Sequence, residues 1–404
     1  ALGNEEDYKI YSERAQYYKN IFDPESQFMR GRFRNTWFAP FDPYEVNFNY
    51  TEANSWQYSF YVPQDISGFI KLLGGKDQLE ANLDELFTAK SETSGRNQAD
   101  ITGLIGQYAH GNEPSHHMAY LYNFANKPYK TQEKVHQILT KLYQNTPDGI
   151  SGNEDCGQMS AWYVLSSLGF YSVTPASNQY IIGTPIFDKA TINLENGKQF
   201  TVVANDISNS NKYIKKATLN SEPLNRTYLY HDEIMQGGTL NFYMTDEPSK
   251  WGTKEGEEPK TEITDHLIVP APFIAKGDIA FKGSTEVELS IVNSETEIFY
   301  SIDDSDYKLY TEPFTISEPS TLNVYAADDK DNKSATITTE FYEIDPNISI
   351  TLETEYANQY NAGGNDALID GIKGTKDFRT GTWQGYWNED VIATVDLGSE
   401  KWIE

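Results

Sequence analysis

Residues 111–117 read Gly-Asn-Glu-Pro-Ser-His-His, and this stretch decides the fold because it places polar side chains where a loop enters a helix. Proline is favoured in the first turn of a helix, where its missing N–H costs nothing, so Pro114 predicts a helix over residues 115–124. Asn112 and Glu113 then lie just ahead of the helix N-terminus. The unpaired N–H groups and positive dipole end favour anionic or oxygen-rich partners beside Glu113.

Two further stretches repeat this design. Residues 51–58 read Thr-Glu-Ala-Asn-Ser-Trp-Gln-Tyr and lead into an aromatic run that ends at Val62. Residues 152–158 read Gly-Asn-Glu-Asp-Cys-Gly-Gln and lead into the apolar residues 159–168. All three stretches therefore place a carboxylate and an asparagine at the start of a helix.

Between residues 52 and 168, apolar helices alternate with amphipathic ones. The predicted helices cover residues 54–62, 77–87, 115–124, 131–143 and 159–168, of which the first, third and fifth are apolar. Such alternation is typical of an α/α toroid, in which inner helices are buried on all sides and outer helices keep a wet face. We therefore predict a toroid with the three loops on one rim. The same pattern predicts buried or pocket-lining Trp56, Tyr120 and Trp162, and exposed Lys134, Gln137 and Lys141.

The rest of the chain is divided by pattern and composition. Residues 1–20 carry tyrosines at helical spacing and predict an amphipathic helix, whereas residues 22–50 predict a long ordered loop. After residue 171, short runs bounded by turn residues predict strands. The predicted strands are 190–194 and 199–204, joined by a hairpin, then 215–219, 239–244, 286–292, 297–301, 321–326, 356–361, 367–370, 383–387 and 391–397.

Four domains are predicted: a toroid portion at 1–175, a β-module at 176–252, an immunoglobulin-like sandwich at 262–343 and a fourth unit at 348–404. A linker at 254–260 separates the second domain from the third.

Composition excludes some classes of partner. The 404 residues include 60 Asp and Glu against 32 Lys and Arg and show no basic patch, so nucleic acid and anionic membrane surfaces are poor partners. No apolar run approaches the length of a membrane span. Seven Trp, 28 Tyr and 20 Phe in an acidic chain suit a sugar-binding protein, although aromatic residues also simply fill cores.

Four carboxylates on the predicted rim could perform acid–base chemistry. Hydrolysis of a glycosidic bond requires one carboxylic acid that protonates the leaving oxygen and a second carboxylate that attacks or activates water. The candidates are Glu52, Glu113, Glu154 and Asp155. Any one of them could instead cap a helix, since Asp and Glu are favoured at helix N-termini. Repetition on three loops favours chemistry, as do the nearby side chains Trp56, Gln57, His110, His116 and His117.

These loops also offer metal ligands. Zinc would use the histidines, but neither the HxxxH nor the HExxH spacing is present. Calcium prefers oxygen ligands from carboxylates, amides and backbone carbonyls. The oxygen donors are Asn112, Glu113, Asn153 and Asp155. The sequence therefore predicts a calcium site rather than a zinc site.

Four motifs follow one another in the order residues 50–58, 62–65, 111–117 and 152–163. Together they resemble the catalytic domain of glycoside hydrolase family 92, and the resemblance extends over roughly residues 1–251. Similarity to this family implies a calcium-dependent, inverting exo-α-mannosidase that acts on N-glycans or mannan. It also implies an (α/α)6 toroid preceded by a β-sandwich that completes the active site. That sandwich is missing from this sequence, which opens in what we interpret as the middle of a helix.

The resemblance assigns roles to individual residues. Glu52 matches the general acid, and Asp155 matches the region of the general base. Glu154 stands where the family more often has aspartate, so it is a second candidate for the base. The region of His110 and Glu113 resembles the part of the family that contacts the leaving sugar, which implies a preference for α-1,2 linkages.

The C-terminal modules carry resemblances of their own. Residues 267–343 resemble the small sandwich at the C-terminus of chitobiase-like enzymes, and residues 348–404 resemble the start of a discoidin (F5/8 type C) carbohydrate-binding domain. The implied partners are mannose-containing glycans and the missing N-terminal sandwich. The implied location is the periplasm, the cell surface or the exterior of a bacterium.

Two other functions stay open from the sequence. A non-catalytic glycan-binding protein would use the aromatic surface and the C-terminal modules, and would be favoured if Glu52 and Asp155 lay too far apart to share a substrate. A different toroid enzyme, such as a phosphorylase, would need a basic phosphate pocket, for which the sequence shows no cluster. For an inverting mannosidase, the two carboxyl groups are expected about 6.5–9.5 Å apart, against about 5–5.5 Å for a retaining one.

Overall fold

The computed structural model of this chain describes residues 3–293 and 295–402. The chain divides into two compact units. The first, called the sandwich unit below, contains residues up to Asp42, the segment Asn47–Thr51 and the residues from Asp265 onward. The second, called the helical unit, contains Pro43–Val46 and Glu52–Thr264 and carries the three motif loops. The boundaries of the four domains inferred from sequence stay a prediction.

In the described ranges, helix α1 lies in the sandwich unit and helices α2 to α7 lie in the helical unit. The helices are α1 Glu5–Arg14, α2 Ser55–Tyr58, α3 Ile66–Leu73, α4 Lys76–Thr88, α5 Pro128–Lys141, α6 Gln158–Ser167 and α7 His231–Met235. The 3₁₀ helices are Tyr17–Asn20, Glu113–Ser115, Met118–Asn123, Asn358–Tyr360, Asn365–Leu368 and Phe378–Thr380. Helices α4, α5 and α6 lie where the sequence predicts helices, whereas α2 is a single turn within the predicted 54–62.

The predicted difference in side-chain exposure between buried inner helices and solvent-exposed outer helices is largely confirmed. Tyr120 and Trp162 are fully buried, and Trp56 is 3% exposed. The outer face of α5 carries the exposed Lys141 and the half-buried Lys134 and Gln137. Lys134 is less exposed than predicted because its ammonium lies 5.2 Å from the centre of the Phe87 ring, along which its stem packs. The closed ring of an (α/α)6 toroid stays a prediction.

The prediction of an α-helix over residues 115–124 is wrong in the type of helix, which is 3₁₀ rather than α. Glu113–Ser115 and Met118–Asn123 are 3₁₀ helices, in which the Tyr120 N–H donates to the His117 carbonyl at 3.0 Å. Every residue of Met118–Asn123 is buried, and the Tyr120 hydroxyl donates to Ser166 at 2.8 Å. The apolar pattern predicts a buried helix correctly, but it does not distinguish the 3₁₀ form from the α form.

Helix α3 was missed by the sequence analysis. Its N-cap Asp65 accepts from the Gly68 N–H at 3.2 Å, and Phe69 and Leu73 are buried at helical spacing. Gly74 closes the helix in the left-handed region at φ 98°. A capping aspartate followed by apolar residues at this spacing is a signal that could have identified α3.

The β-module of the helical unit is a five-stranded sheet that covers its own core. In sheet order, its strands are Lys189–Asn193, Gln199–Asn205, Gly238–Thr245, Tyr213–Leu219 and Glu222–Leu224. The predicted hairpin is confirmed, because the first two strands pair antiparallel. Phe200, Phe242 and Leu240 are fully buried beneath the sheet. A three-stranded sheet of Phe170–Tyr171, Gln179–Ile182 and Tyr228–Tyr230 adjoins the end of α6. Short pairs complete the unit: Glu45–Val46 with Ser94–Gly95, and Leu104–Ile105 with Tyr108–Ala109.

Two five-stranded sheets of the sandwich unit share one core, as an immunoglobulin-like sandwich requires. One contains Phe314–Ile316, Thr285–Ser290, Phe273–Lys276, Thr36–Trp37 and Arg32–Phe33, in that order. The other contains Ala280–Phe281, Ile337–Glu343, Ser320–Ala327, Glu297–Ile302 and Lys308–Leu309. Strands from residues 32–37 extend the first sheet, so the predicted long loop at 22–50 contributes to the sandwich. A further short pair in this loop joins Phe22–Asp23 to Phe28–Met29.

Both ends of the described chain differ from the sequence prediction. Helix α1 is shorter than the predicted 1–20 and has no buried residue; Tyr8 and Tyr11 are 49% and 62% exposed. Near the C-terminus, no strand forms at the predicted 356–361, 367–370 and 383–387 in the described residues; 3₁₀ turns occupy Asn358–Tyr360 and Asn365–Leu368, and a single antiparallel bridge joins Asn361 to Gln384. Ala393–Asp396, within the predicted 391–397, is a strand and pairs with Ser349–Leu352. Glycines and asparagines dominate this region and favour turns over strands.

The segment 254–260, predicted as a loose linker, is fixed to the helical unit. Glu258 is 6% exposed, and its carboxylate accepts from Lys76 at 2.8 Å and from Asn126 at 3.0 Å. Burial by itself would raise the pKa of Glu258, but the bonds from Lys76 and Asn126 outweigh burial and lower the pKa from 4.5 to about 2. The ionised carboxylate is therefore stabilised by folding.

This contact gives a pH-dependent stability. Glu258→Gln is expected to reduce the free energy of unfolding at pH 7 by about 1.5–3 kcal/mol, the usual worth of hydrogen bonds to a charged group. Because the folded pKa is depressed, the contribution is present above pH 4.5 and is lost as the pH falls towards 2. Thermal unfolding at several pH values measures it, with the exposed neighbour variant Glu255→Gln as the control. A difference that stays constant from pH 7 to about pH 2.5 would contradict the assignment.

Candidate active site

Two of the motif loops lie side by side because both have glycine at the point of contact. A Cβ added to Gly111 would lie 1.9 Å from Thr102 Oγ1, and one added to Gly152 would lie 2.7 Å from the same atom. Gly111 would also meet the Ser151 carbonyl at 3.0 Å. A side chain at either position would collide with Thr102, and one at Gly111 would also crowd the residue before Gly152, so glycine allows the two loops to pack closely here.

The two loops line a cleft of about 370 Å³ in the helical unit. Four predicted site residues line it together: Glu113, His116, His117 and Asp155. The other lining residues are Tyr61, Pro63, Gln158, Tyr171, Ser172, Val173 and Pro175. A larger cavity of about 680 Å³ in the sandwich unit is lined by none of the motif residues. The smaller cleft is therefore the candidate active site.

The loop that carries Asp155 has an unusual backbone. Asp155, Cys156 and Gly157 follow one another in the left-handed region, with φ of 51°, 56° and 91°. Two consecutive non-glycine residues in this region store strain, and such strain is common at functional sites. The Asp155 carbonyl accepts from the Gln158 N–H at 3.1 Å, which attaches the turn to the start of α6.

Glu154 makes the kind of contact that a helix cap makes. Its Oε1 accepts from the Ser160 N–H at 3.0 Å, in the first turn of α6. The capping interpretation that the sequence left open for each carboxylate therefore applies to Glu154. Asp155 is exposed and lines the cleft, so its position suits contact with a substrate better.

His116 and His117 present fixed, neutral rings to the cleft. His116 Nε2 donates to the His110 carbonyl at 2.9 Å, while its Nδ1 accepts from the Gln158 amide at 3.1 Å. His117 Nε2 donates to the Phe60 carbonyl at 2.8 Å. Burial lowers the pKa of His116 and lowers the pKa of His117 to about 4, against the opposing effect of these carbonyl bonds. Neither ring carries a charge near neutral pH.

His110 and Trp56, both predicted as sugar-binding residues, are not among the residues that line the cleft. His110 is fully buried, and its ring nitrogens lie 2.8 Å from the Tyr108 hydroxyl and 2.7 Å from the Tyr143 hydroxyl. Trp56 is buried and packs near the Tyr44 ring, with the ring centres 6.1 Å apart. Neither residue is among those that line the cleft. Burial alone does not separate them from His116 and His117, which are equally buried; the difference is that only His116 and His117 lie at the wall of the cleft.

Gln57 and Asn112 are buried polar side chains next to the cleft loops. Gln57 is 1% exposed, and neither atom of its amide has a partner within the described residues. Helix α2, which carries Gln57, packs against the Glu113–Ser115 turn. Asn112 is 2% exposed, and its Oδ1 has no hydrogen-bond partner among the described residues. Buried orphan groups of this kind commonly mark a site for a ligand, an ion or a water.

The predicted calcium ligands fit calcium by the chemistry of their donors. Asn112 offers a buried amide oxygen without a partner in the described chain, and Glu113 and Asp155 offer carboxylates at one cleft. Neither Asn112 nor Asn153 is among the residues that line this cleft. Asn112 is buried directly before Glu113, whereas Asn153 is exposed and nothing in its position supports the predicted role. Over residues 3–293 and 295–402, no group of three or more His, Cys, Asp or Glu side chains is arranged for a metal.

Glu52 is half-buried and does not line the cleft. It precedes α2 by three positions, and α2 packs against the turn that carries Glu113. Gln158, Tyr61 and Tyr171 also line the cleft, although they are not among the predicted site residues. Gln158 stands in a quoted motif and could have been found, whereas Tyr61 and Tyr171 follow separate helices and reach the cleft only through the fold.

The family of the chain follows from comparison with known proteins. Residues 1–246 match the model described as the glycosyl hydrolase family 92 catalytic domain, which is more than half of the chain. The chain belongs to glycosyl hydrolase family 92. Residues 275–338 match the chitobiase/β-hexosaminidase C-terminal domain. The discoidin-like start predicted at 348–404 stays a prediction.

Solved and curated relatives support this membership of family 92. A family GH92 α-mannosidase from Bacteroides thetaiotaomicron, solved with mannoimidazole, is 40% identical with a TM-score of 0.60, over 64% of this chain and 36% of that one. A family GH92 inverting mannosidase from the same species is 37% identical with a TM-score of 0.57, over 65% and 37% of the two chains. An uncharacterized secreted glycosidase from Arthroderma benhamiae is 32% identical, over 52% of this chain and 25% of that protein.

This family 92 chain thus spans between 25% and 37% of the length of those relatives. Within the residues described, no helix has both the length and the hydropathy that a membrane crossing requires.

Proposed function

We propose that this chain is part of an exo-acting α-mannosidase that removes terminal mannose from glycans with inversion. The observation that carries the proposal is the meeting of the 111–117 and 152–158 loops at one cleft, in a chain of family 92. Two similar solved structures are named as an α-mannosidase and an inverting mannosidase, which supports the same reaction here. The substrates proposed are N-glycans or mannan.

Asp155 is the proposed general base and Glu52 the proposed general acid. Asp155 takes a proton from a water that attacks the anomeric carbon, while Glu52 gives its proton to the leaving oxygen as the glycosidic bond breaks. Inversion requires room for that water, so the two carboxyl groups are expected about 6.5–9.5 Å apart when substrate is bound. Glu154 is the less favoured base because its carboxylate already accepts from the Ser160 N–H.

Calcium is the proposed cofactor, with Asn112, Glu113 and Asp155 as its ligands from this chain. A bound calcium would hold hydroxyl oxygens of the mannose and help to flatten its ring. The chain's own residues do the remaining work: the neutral His116 and His117 present fixed rings, and Tyr61 and Tyr171 offer aromatic faces to the sugar.

The preferred linkage and the location belong to the same proposal. We expect α-1,2 linkages to be cleaved fastest, and we expect the protein to act in the periplasm, at the cell surface or outside the cell, as the secreted relative suggests.

Release of free mannose from α-1,2, α-1,3, α-1,4 and α-1,6 mannobioses by the intact protein tests the activity and the linkage together. Binding of these sugars without release would instead favour a non-catalytic glycan-binding protein. The observation that favours this second function is that Glu52 is not among the residues that line the cleft.

The role of Glu52 has its own test. Glu52→Gln is expected to slow hydrolysis of mannobiose by about 10²–10³-fold, since loss of a general acid costs on this order. Mannosides with an activated aryl leaving group should lose far less, because such a group departs without a proton. Glu45→Gln, a second half-buried glutamate of the helical unit, is the matched control. Equal losses on both substrates would mean that Glu52 is not the acid.

A further inference from the structure

His110 connects the two loops that form the cleft. On one side, its carbonyl accepts from His116 Nε2 at 2.9 Å, which fixes the ring of a cleft residue. On the other side, its own Nε2 bonds the Tyr143 hydroxyl at 2.7 Å, and that hydroxyl bonds the Met159 carbonyl at 3.1 Å. Met159 lies in the first turn of α6, directly after the Asp155 turn.

The protons in this chain of bonds can be assigned. A tyrosine has one hydroxyl proton, and Tyr143 must give it to the Met159 carbonyl, which can only accept. The Tyr143 oxygen therefore accepts from His110 Nε2–H, which leaves His110 Nδ1 to accept from the Tyr108 hydroxyl at 2.8 Å. Every donor in the chain has one acceptor, and the imidazole is neutral. Burial holds the pKa of His110 well below its usual range, in agreement with this assignment.

The turn that holds Asp155 depends on the position of Met159. The Met159 N–H donates to the Glu154 carbonyl at 3.3 Å, and the neighbouring Gln158 N–H donates to the Asp155 carbonyl at 3.1 Å. A shift of the first turn of α6 therefore moves the Asp155 carboxylate with it.

The His116 side of the connection is equally close-packed. The ring centres of His110 and Trp162 lie 4.5 Å apart in an edge arrangement, and the Trp162 Nε1–H donates to the His116 carbonyl at 3.0 Å. The Tyr143 ring stacks nearly parallel to Trp162, with an interplanar angle of 3°. The His110 ring thus packs against Trp162 and bonds Tyr108 and Tyr143, while the His110 backbone carbonyl bonds His116.

We propose that His110 is a positioning residue that sets the Asp155 carboxylate at the correct place relative to the Glu113–His117 side of the cleft. The inference rests on the proposed mannosidase function. His110 does not touch the substrate, so its loss should affect the reaction more than binding. A displacement of a reacting group by about 1 Å can cost about 10²-fold in rate.

The first variant is His110→Phe, which keeps a ring of similar size and removes both side-chain bonds. We expect kcat for mannobiose to fall about 30–100-fold with KM nearly unchanged, as for a misplaced catalytic group. His110→Gln, whose amide offers one donor and one acceptor, should restore part of kcat. The half-buried His136 lies on the outer helix α5, and His136→Phe is the matched control.

The second variant, Tyr143→Phe, removes only the bond to Met159 and the bond to His110, and keeps the stacked ring. It should lower kcat without changing KM, and the double variant with His110→Phe should be no slower than His110→Phe alone, because the two residues act as one unit. Tyr122→Phe is the control, since this buried tyrosine donates to Asp84 at 2.9 Å and has no bond to His110, Tyr143 or Met159 among the described residues.

The outcomes separate the inference from the function on which it rests. If the wild-type protein releases no mannose, the proposed function fails. If the wild type is active and either variant keeps its kcat, or both raise KM instead, the positioning role is wrong. Additive losses in the double variant would likewise overturn it. Should His110→Phe fail to fold, Tyr143→Phe decides the question alone.

Discussion

Asp155→Asn is expected to slow mannose release by about 10⁴-fold, the upper range for loss of a general base. The loss should be equal on mannobiose and on aryl mannosides, because activation of water is needed whatever the leaving group is. The backbone should tolerate the change: Asp155 has a φ of 51°, and asparagine adopts this region more readily than most residues. Steady-state kinetics on both substrates measure the effect.

Glu154→Gln is the matched control for this prediction. Glutamine keeps the oxygen that accepts from the Ser160 N–H, so the helix cap and the fold should both survive. We expect its activity to stay close to that of the wild type. If Asp155→Asn keeps its activity while Glu154→Gln or Glu113→Gln removes it, the base has been assigned to the wrong carboxylate, although the mannosidase proposal could survive.

Removal of calcium is expected to abolish the activity, and calcium but not zinc should restore it. Glu113 and Asp155 offer carboxylate oxygens at the cleft, and the neighbouring Asn112 offers a buried amide oxygen; oxygen ligands of this kind suit calcium. Activity after exhaustive chelation, followed by titration with each metal, makes the comparison. Full activity in chelator would contradict the prediction.

The contribution of Asn112 is measured by binding as well as by rate. Its Oδ1 is buried without a partner in the described chain, so Asn112→Ala should weaken calcium binding at least about tenfold, as loss of supporting groups does at metal sites. Equilibrium dialysis with calcium gives this affinity independently of turnover. The exposed Asn145 provides the control variant Asn145→Ala, which should bind calcium as the wild type does. Equal affinities for all three proteins would exclude Asn112 as a ligand.

Local pattern predicted most of the elements of the helical unit. The apolar stripes of α4, α5 and α6 and the hairpin before Gln199–Asn205 were placed to within a few residues, because their periodicity and turn residues act over short distances. The same reasoning failed at residues 115–124, where the apolar pattern does not distinguish the 3₁₀ form from the α form, and at residues 32–37, whose strands are completed by partners more than two hundred positions away.

The motifs alone placed Glu113, His116, His117 and Asp155 in one site, because each motif carries its chemistry in a few adjacent residues. Whether a polar residue faces the cleft or lies behind it was decided only by the tertiary structure. His110 and Trp56 are as suited to a sugar as their neighbours, yet neither is among the residues that line the cleft. Residue type determines which bonds a side chain can make, whereas burial and distance depend on how separate segments pack, and no local pattern contains that information.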